Sequence, residues 1–246
     1  MLIKLIRLTI ELWKYRLQKP HTKHNRCDVI LKADDLADCN KKVLKLDKII
    51  NKENICISWG IIGKSLENPS LKDLSFLKNK KQCTNYHFFN HGYLHLGGEE
   101  YEFCNRSVNE QYNFLKQTQE IVKNKTGIIL DTFGAPCNHI DDNTAKALEK
   151  FSEIKNWYYG LNSSKRIFHR YIEIEDGVGN PDFFQFKKQW HNLTPKPQIL
   201  TLQIHPNMWK RGNKKLHFLN FEVIIAFLKY NGCNFVTPQK LENTND

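Results

Sequence analysis

The sequence predicts an α/β protein with a distorted (β/α)7-type barrel in one main domain. Three observations predict it: short β-rich runs alternate with helical segments, seven strands can be placed, and several strands end in residues able to bind a metal or move a proton. The chain of 246 residues, 40% of them hydrophobic, is long enough for one sizeable core. The barrel is expected over residues 25–246, after a basic amphipathic helix and linker at residues 1–24.

The predicted strands are short and spread along the chain. They cover residues 29–33, 55–59, 86–90, 127–133, 157–161, 199–204 and 234–236. One intervening helix begins after Ser107, which forms a capping box with Glu110, and ends at Gly127. Two further helices are expected over residues 142–151 and 218–230.

The amino-terminal residues predict an amphipathic helix over 2–17. Its charged residues recur at spacings of three or four, while leucine, isoleucine and tryptophan fill the wider face; they are Lys4, Arg7, Glu11 and Lys14. Such a helix either contacts an anionic membrane surface through residues 1–18 or packs against the body of the domain, and both alternatives stay open. Pro20 and the polar residues 21–26 predict a linker.

Composition limits the compartment and the partners. No apolar run reaches the roughly 20 residues of a membrane-spanning helix, and no small-residue cleavage site follows the interrupted apolar start, so secretion is not expected. The seven cysteines are scattered without a Cys-x-x-Cys pair, which is typical of reduced thiols. We therefore expect a cytoplasmic protein, with membrane contact limited to the inner face.

The basic charge favours an anionic partner. The formal net charge is +11, which attracts phosphorylated sugars, nucleic acid or lipid headgroups. The lysines are spread along the chain, so a solvated lysine-rich surface is an equal alternative. Neither an RNA-binding motif nor a basic tract interleaved with aromatic residues is visible, and a nucleic-acid partner is not expected.

Asp34 and Asp35 stand side by side at the end of the first predicted strand. Two adjacent carboxylates repel each other unless a cation or a proton is shared between them. Because successive side chains of an extended chain point to opposite sides, one carboxylate is expected on a metal ion and the other toward a water molecule or the substrate. A turn or a helix cap is the alternative interpretation of this pair.

His91 and His95 follow the third predicted strand with a spacing of four residues. On one helical turn or in a tight loop, both imidazoles then face the same point, as metal ligands must. One carboxylate and two imidazoles make a three-ligand site with open positions, which is the arrangement of catalytic zinc. The alternative is two unrelated surface histidines.

His205 ends the strand predicted over residues 199–204 and is followed by Pro206. Its imidazole is a candidate general acid, and the nearby Trp209 is a candidate wall for stacking a sugar ring. The alternative for His205 is a structural histidine whose ring is fully hydrogen-bonded.

These motifs, in this order, resemble the polysaccharide deacetylase family, which has the NodB homology domain and is also called carbohydrate esterase family 4. The resemblance covers residues 28–240. It implies that Asp34 is the catalytic base and that His205 is the proton donor. The metal ligands that it implies are Asp35, His91 and His95.

The resemblance also implies a cofactor and a set of substrate contacts. The cofactor is a divalent metal ion, expected to be zinc, with nickel, cobalt, manganese and iron as alternatives. The residues expected to contact the substrate are Pro136, Cys137, Asn138, Trp157 and Trp209. Of these, Cys137 is expected to contribute its backbone N–H and not its thiol.

One motif departs from the family pattern. Where the family has Arg-Pro-Pro-Tyr, this chain has Gly134-Ala135-Pro136-Cys137, so the arginine that orients the base is missing. Asn156 likewise stands where an acidic residue is expected beside Trp157. The candidates to replace the arginine from another loop are Arg106, Arg166 and Arg170. The pattern resembles a divergent branch of the family that acts in O-antigen and other surface-glycan biosynthesis.

The sequence therefore predicts a metal-dependent hydrolase of carbon–nitrogen bonds. The expected reaction is removal of an N-acetyl group from an amino sugar in a nucleotide-linked or lipid-linked precursor of a surface polysaccharide, such as the O antigen of lipopolysaccharide. Two alternatives stay open. One is a deformylase or another amidohydrolase on the same barrel, and the other is a catalytically silent protein that binds anions or membranes.

Overall fold

The computed structural model describes residues 2–20, 27–209 and 214–242. Within these residues the chain forms eight strands and eight α-helices. The strands are β1 (Asp28–Leu36), β2 (Ile57–Ile61), β3 (Tyr86–Asn90), β4 (Thr132–Gly134), β5 (Asn156–Tyr158), β6 (Arg166–Phe168), β7 (Ile199–Ile204) and β8 (Asn234–Phe235). The helices are α1 (Leu2–Leu17), α2 (Lys41–Glu53), α3 (Leu71–Lys81), α4 (Val108–Thr126), α5 (Asp142–Leu148), α6 (Phe183–Asn192), α7 (Lys214–Tyr230) and α8 (Pro238–Glu242).

All strands pair in parallel in one curled sheet. The hydrogen-bonded order is β6-β5-β4-β3-β2-β1-β7, and β8 pairs with the start of β1. Just after β6, Arg170 forms a parallel bridge with Thr201 of β7, so the two ends of the sheet meet at a single point. Helices surround this sheet, and the predicted single-domain, distorted (β/α) barrel is confirmed.

The predicted strand set needs three corrections. The short strand β6 was not predicted, so the described residues hold eight strands where seven were expected. The fourth strand begins at Thr132 and not at residue 127, because Gly127 has a φ of 69° and caps α4 with its N–H. The fifth strand ends before Tyr159, whose φ of 59° lies in the left-handed region.

The predicted helices form close to their expected places. Helix α4 begins at the predicted capping box, in which Ser107 accepts from the backbone of Glu110 and Glu110 accepts from the backbone of Ser107. Helix α1 matches the predicted segment. Helix α5 is three residues shorter than predicted, and α7 begins four residues earlier, at Lys214.

Helix α1 packs on α7 through one of its faces. Leu8, Leu12 and Tyr15 are buried, and the ring of Tyr15 lies edge-on to Phe227 at 5.2 Å between centroids. The predicted packing against the domain is therefore present, and the opposite face of the helix points outward. None of the described helices has the length and apolarity needed to cross a membrane. The predicted linker at residues 21–26 lies outside the described residues.

The carboxyl ends of the parallel strands bring the candidate site residues together. Asp34 and Asp35 belong to the end of β1, and His91 directly follows β3. Gly134 is the last residue of β4, and His205 directly follows β7. Because parallel strands of a curled sheet end at the same rim, residues far apart in the chain meet there.

Candidate metal centre and active site

Asp35, His91 and His95 form a cluster that can hold a metal ion. Oδ1 of Asp35 lies 2.7 Å from Nε2 of His95 and 3.2 Å from Nε2 of His91. One ligand atom from each of the three residues lies within 4.8 Å of the others. One carboxylate with two imidazoles suits a divalent transition metal such as zinc and leaves positions open for other ligands.

His91 is oriented by a second contact. Its ring is buried, and Nδ1 lies 2.6 Å from the backbone oxygen of Gly134. Since Nδ1 faces that carbonyl as a donor, Nε2 is the nitrogen left to bind a metal ion beside Asp35. A hydrogen bond of this kind from the outer nitrogen is the usual support of a metal-ligating histidine. The donor set therefore fits a metal ion.

Glu102 holds the loop that carries His95. Its carboxylate accepts the backbone N–H groups of Tyr93 and Leu94, each at 2.8 Å, and that of His95 at 2.7 Å. Gly92 has a φ of 74°, and a Cβ there would lie 2.6 Å from Glu102. Glu102 is buried and was not predicted, because nothing in the local sequence marks a carboxylate that binds a loop seven to nine residues away.

The two aspartates differ in their surroundings. For Asp35, burial raises the pKa, but the hydrogen bonds and charges of His91 and His95 outweigh burial and hold the pKa well below its usual range. For Asp34, burial again raises the pKa, and the charge of Lys32, followed by those of His91 and His205, lowers it below its usual value. Both carboxylates are therefore ionised at neutral pH.

Lys32 is the cation that contacts Asp34. It is fully buried, and its Nζ lies 2.5 Å from each carboxylate oxygen. The amide of Gln203 donates to Oδ2 of Asp34 at 2.7 Å. Lys32 and Asp34 are two residues apart on a strand, so their side chains share a face, and this spacing could have indicated the pair.

The three arginines that were expected as candidates to orient the base do not contact Asp34. Arg106 pairs with Glu100 and Glu110, and Arg170 pairs with Glu173. Arg166 lies over the ring of Phe168. The expected arginine from another loop is therefore wrong. The cation beside Asp34 is Lys32, which belongs to the same strand.

His205 lies across from Asp34 and is held by Glu175. Nδ1 of His205 is 2.8 Å from Oε2 of Glu175, and Nε2 is 3.6 Å from Oδ2 of Asp34. Burial lowers the pKa of His205, but the hydrogen bond to Glu175 and the charges of Asp34, Glu175 and Asp35 outweigh it, so the pKa is raised. Glu175 was not predicted, since it reaches His205 from a loop 30 residues earlier.

Trp209 and Trp157 do not line the cleft. Both side chains are fully buried, so neither face is available to stack on a sugar. Trp209 donates its indole N–H to Glu175 at 2.6 Å, and Trp157 packs in the core beside Phe133. The expectation that Trp157 and Trp209 contact the substrate is therefore wrong. The sequence alone does not distinguish a tryptophan of the core from a tryptophan of a binding surface.

The other expected substrate contacts lie near the metal cluster. Cys137 is exposed and has a φ of 56°, and Asn138 donates its amide to Gln203 at 3.1 Å. Pro136 is buried. A cleft of about 710 Å³ opens here; its lining residues are Asp35, His91, His95, Cys137, Gly177, Val178, Gly179, His205 and Met208. It is large enough for a small acylated sugar.

No family model and no curated protein matches this sequence. Several solved structures share its fold. A family 4 acetyl xylan esterase from Clostridium thermocellum, in complex with a cobalt ion, aligns with a TM-score of 0.62 and 16% identity over 89% of this chain and 91% of that chain. The peptidoglycan deacetylase PdaC from Bacillus subtilis aligns with a TM-score of 0.59 and 17% identity over the same shares of the two chains.

A third similar structure is named as a protein without enzymatic activity. It is a pseudoenzyme of family CE4 from Bacillus anthracis, with a TM-score of 0.63 and 16% identity over 88% of this chain and 66% of that chain. Identities of this size show a common fold and not a common activity. The chain therefore has the NodB-type fold of the carbohydrate esterase family 4 polysaccharide deacetylases.

Proposed function

We propose that the protein is a metal-dependent N-deacetylase that acts on an amino sugar of a surface-polysaccharide precursor. The observation that supports this most directly is the meeting of a three-ligand cluster, a buried carboxylate and a histidine at one rim of the barrel. Asp34 and His205 face each other across this rim at 3.6 Å. Hydrolysis of an amide requires a base and an acid close to the same bond, and these two side chains lie next to each other beside the metal-ligand cluster.

Asp35, His91 and His95 would hold the metal, with zinc expected. A divalent ion, when bound, lowers the pKa of water and polarises a carbonyl group. The acetyl xylan esterase with the same fold is in complex with a cobalt ion, which supports the choice of a divalent metal. His91 would keep its Nε2 toward the ion because its Nδ1 is fixed on the Gly134 carbonyl.

Asp34 would act as the general base. It accepts a proton from the water molecule that attacks the carbonyl carbon, and it is suited to this because it is ionised. His205 would donate a proton to the nitrogen as the carbon–nitrogen bond breaks, which releases acetate and the free amine. Glu175 would fix the His205 ring so that Nε2 faces the cleft. The backbone N–H of Cys137 would stabilise the oxyanion.

The proposed substrate is an N-acetylated sugar on a nucleotide or lipid carrier. Both carriers are anionic, and the net charge of +11 supports attraction to either. The proposed location is the cytoplasm, at the inner face of the membrane, where the product would enter the synthesis of a lipopolysaccharide O antigen or a related glycan. Nucleic acid is not proposed as a partner.

The proposal is tested by metal analysis and acyl release. The purified protein is analysed for bound metal, and acetate and formate are measured after incubation with N-acylated sugar nucleotides and lipid-linked sugars. The Asp34→Asn variant should lose acetate release and keep its metal. Asp38→Asn, an exposed aspartate just beyond β1, is the matched control and should behave as wild type.

Three outcomes would contradict the proposal. A protein that binds no divalent metal cannot use this mechanism. Release of formate without acetate would identify a deformylase on the same barrel. Retained metal with no release from any substrate would identify a catalytically silent protein, as the name of the Bacillus anthracis structure states for that protein.

A further inference from the structure

Helix α1 carries a second apolar face that points away from the domain. Its residues recur at spacings of three and four and are between 49% and 77% exposed; they are Ile3, Ile6, Ile10, Trp13 and Leu17. We call these five residues the outer stripe. The opposite face of α1 is already packed on α7, so the domain holds the helix while the outer stripe faces solvent. An apolar stripe of this width on a surface helix is typical of a binding face.

The charges around the outer stripe favour an anionic partner. Arg7 and Lys14 are exposed along one border of the stripe. Arg16, beyond the other border, is turned toward the domain, where it pairs with Glu53 and Glu222. The helix has one acidic residue, Glu11, which pairs with Lys187 of α6 at 3.5 Å, away from the stripe. Cations beside an apolar stripe are the arrangement of helices that lie in the headgroup region of anionic membranes.

A second copy of the chain is a poor occupant of the outer stripe. Face-to-face pairing of two α1 helices would bring Arg7 and Lys14 of both copies to the interface, while Glu11, the acidic residue of the helix, stays paired with Lys187. Each copy also carries a net charge of +11, which opposes self-association at low salt. We propose that the outer stripe of α1 docks the protein on the surface of a lipid bilayer that contains anionic lipids.

The placement of α1 connects this surface with the cleft. Lys4 in the first turn of α1 pairs with Asp182 at 3.1 Å, and Asp182 stands three positions after Gly179, the last residue of the cleft-lining segment 177–179. The cleft mouth therefore opens near the amino-terminal end of the docked helix.

The test uses the whole protein and vesicles of defined composition. Trp13 is 58% exposed, whereas the other four tryptophans are at most 5% exposed, so quenching by acrylamide reports mainly on Trp13. With vesicles of 70% phosphatidylcholine and 30% phosphatidylglycerol at low salt, we expect protection of Trp13 and co-sedimentation of the protein. Vesicles of phosphatidylcholine alone, or a high salt concentration, should weaken binding at least tenfold.

A variant pair separates the outer stripe from general apolar exposure. The Ile6→Gln/Ile10→Gln variant should bind anionic vesicles at least tenfold more weakly, with an unchanged melting temperature because both side chains are exposed. Ile129→Gln changes an exposed isoleucine far from α1 in the chain and should bind as wild type. Equal binding by the stripe variant and wild type would overturn the proposal, as would a wild-type dimer that the stripe variant loses.

A different observation carries a second inference, which depends on the proposed function. Lys32 extends into the barrel interior beside Asp34 of the same strand, and its Nζ lies over the rings of Phe89, Tyr158 and Tyr159 at 5.3, 5.8 and 5.2 Å. Gly134 makes room for Phe89 and Lys32 together, because a Cβ there would lie 2.9 Å from Cε2 of Phe89 and 3.1 Å from Cε of Lys32. The aromatic rings and the glycine thus fix where the cation ends.

We infer that Lys32 is a positioning residue that holds both oxygens of the Asp34 base. A side chain larger than glycine at position 134 competes with Lys32 for the same space. Lys32 on Asp34 and glycine at position 134 therefore depend on each other, because the absence of a side chain at position 134 leaves the space that Lys32 occupies.

Lys32→Met removes the charge and keeps the length of the side chain. We expect kcat to fall by roughly 100-fold, the size of effect that follows from small displacements of a catalytic group, with KM and metal content unchanged. Lys80→Met removes a lysine that pairs with Asp47 at 2.6 Å away from the cleft, and it should keep the wild-type kcat. Lys32→Ala/Gly134→Arg, which places a cation at the carboxyl end of β4, should recover part of the lost kcat.

A stability cycle keeps this inference separate from the proposed activity. Lys32→Met leaves Asp34 buried without its cation, so Lys32→Met/Asp34→Asn should have a higher denaturation midpoint than Lys32→Met alone. Additive effects of the two changes, or a folded, metal-loaded Lys32→Met variant with wild-type kcat, would overturn the inference. A wild type without acyl release overturns the proposed function instead, and the cycle still reports whether the two residues interact.

Discussion

Glu175 contacts His205 at two points: Oε2 lies 2.8 Å from Nδ1 of the ring, and Oε1 accepts the backbone N–H at 2.7 Å. Oε1 also accepts the indole N–H of Trp209. One buried carboxylate thus fixes the ring, the main chain and the tryptophan that follows. This arrangement holds Nε2 of His205 toward the cleft.

The first prediction concerns the pH dependence of Glu175→Gln. The pKa of His205 is raised because the contributions of Glu175 and Asp34 exceed the effect of burial. A general acid works in its protonated form, so activity should persist above the usual histidine pKa near 6.5 and fall as pH rises through the raised pKa. Without the Glu175 charge, the alkaline limb of the pH profile should move to lower pH.

The matched control for that experiment is Glu173→Gln. Glu173 is exposed and pairs with Arg170, so its loss should leave the pH profile of kcat in place. An unchanged alkaline limb in Glu175→Gln would show that His205 is not the acid observed in the profile.

The second prediction concerns the loop held by Glu102. Glu102→Ala removes the acceptor of three backbone N–H groups, including that of His95. Because a ligand that is no longer held binds metal less well, zinc affinity should fall by about 10- to 100-fold, as for other supporting contacts of metal ligands. Titration calorimetry with zinc measures this. Glu100→Ala, which changes an exposed carboxylate in the same loop, should bind zinc as wild type does.

The third prediction concerns metal removal. A chelator should abolish acyl release, and added zinc should restore it. Because the three ligands come together only in the folded chain, metal should also stabilise the fold, by about 2.7 kcal/mol when free zinc is 100 times its Kd. Differential scanning calorimetry with and without the chelator measures the shift. A melting temperature independent of zinc would show that Asp35, His91 and His95 do not hold it.

The fourth prediction concerns the attachment of α1. Leu8 is fully buried against the domain, so Leu8→Ala should lower the free energy of unfolding by about 2 to 5 kcal/mol. Ile10→Ala, on the outer stripe of the same helix, should change it by less than about 0.5 kcal/mol. Urea denaturation followed by circular dichroism measures both. Equal effects of the two substitutions would show that α1 is not docked through Leu8 in solution.

Several parts of the fold follow from local sequence. The caps at Ser107 and Gly127 mark the two ends of α4 because they depend on neighbouring backbone groups. The metal cluster was also predictable in part. Asp35 ends an apolar strand, and His91 and His95 are four residues apart, so their place and spacing are visible in the chain.

Other parts of the candidate site depend on contacts between distant segments. Glu102 and Glu175 each stand among other acidic residues in a loop, and no local pattern distinguishes them from these neighbours. Trp157 and Trp209 were expected at the cleft, yet both are buried. Whether a tryptophan is buried depends on which helices and strands pack over it. The type of the residue does not reveal this.

Spacing along the chain was enough to predict the alternation of strands and helices, the residues at the strand ends and the wide apolar face of α1. Only the tertiary structure decided that Lys32 is the cation on Asp34, that Glu175 and Glu102 hold two of the histidines, and that one face of α1 is left outside. The physical reason is that curling a parallel sheet brings distant side chains to one rim, where burial and charge select the partners.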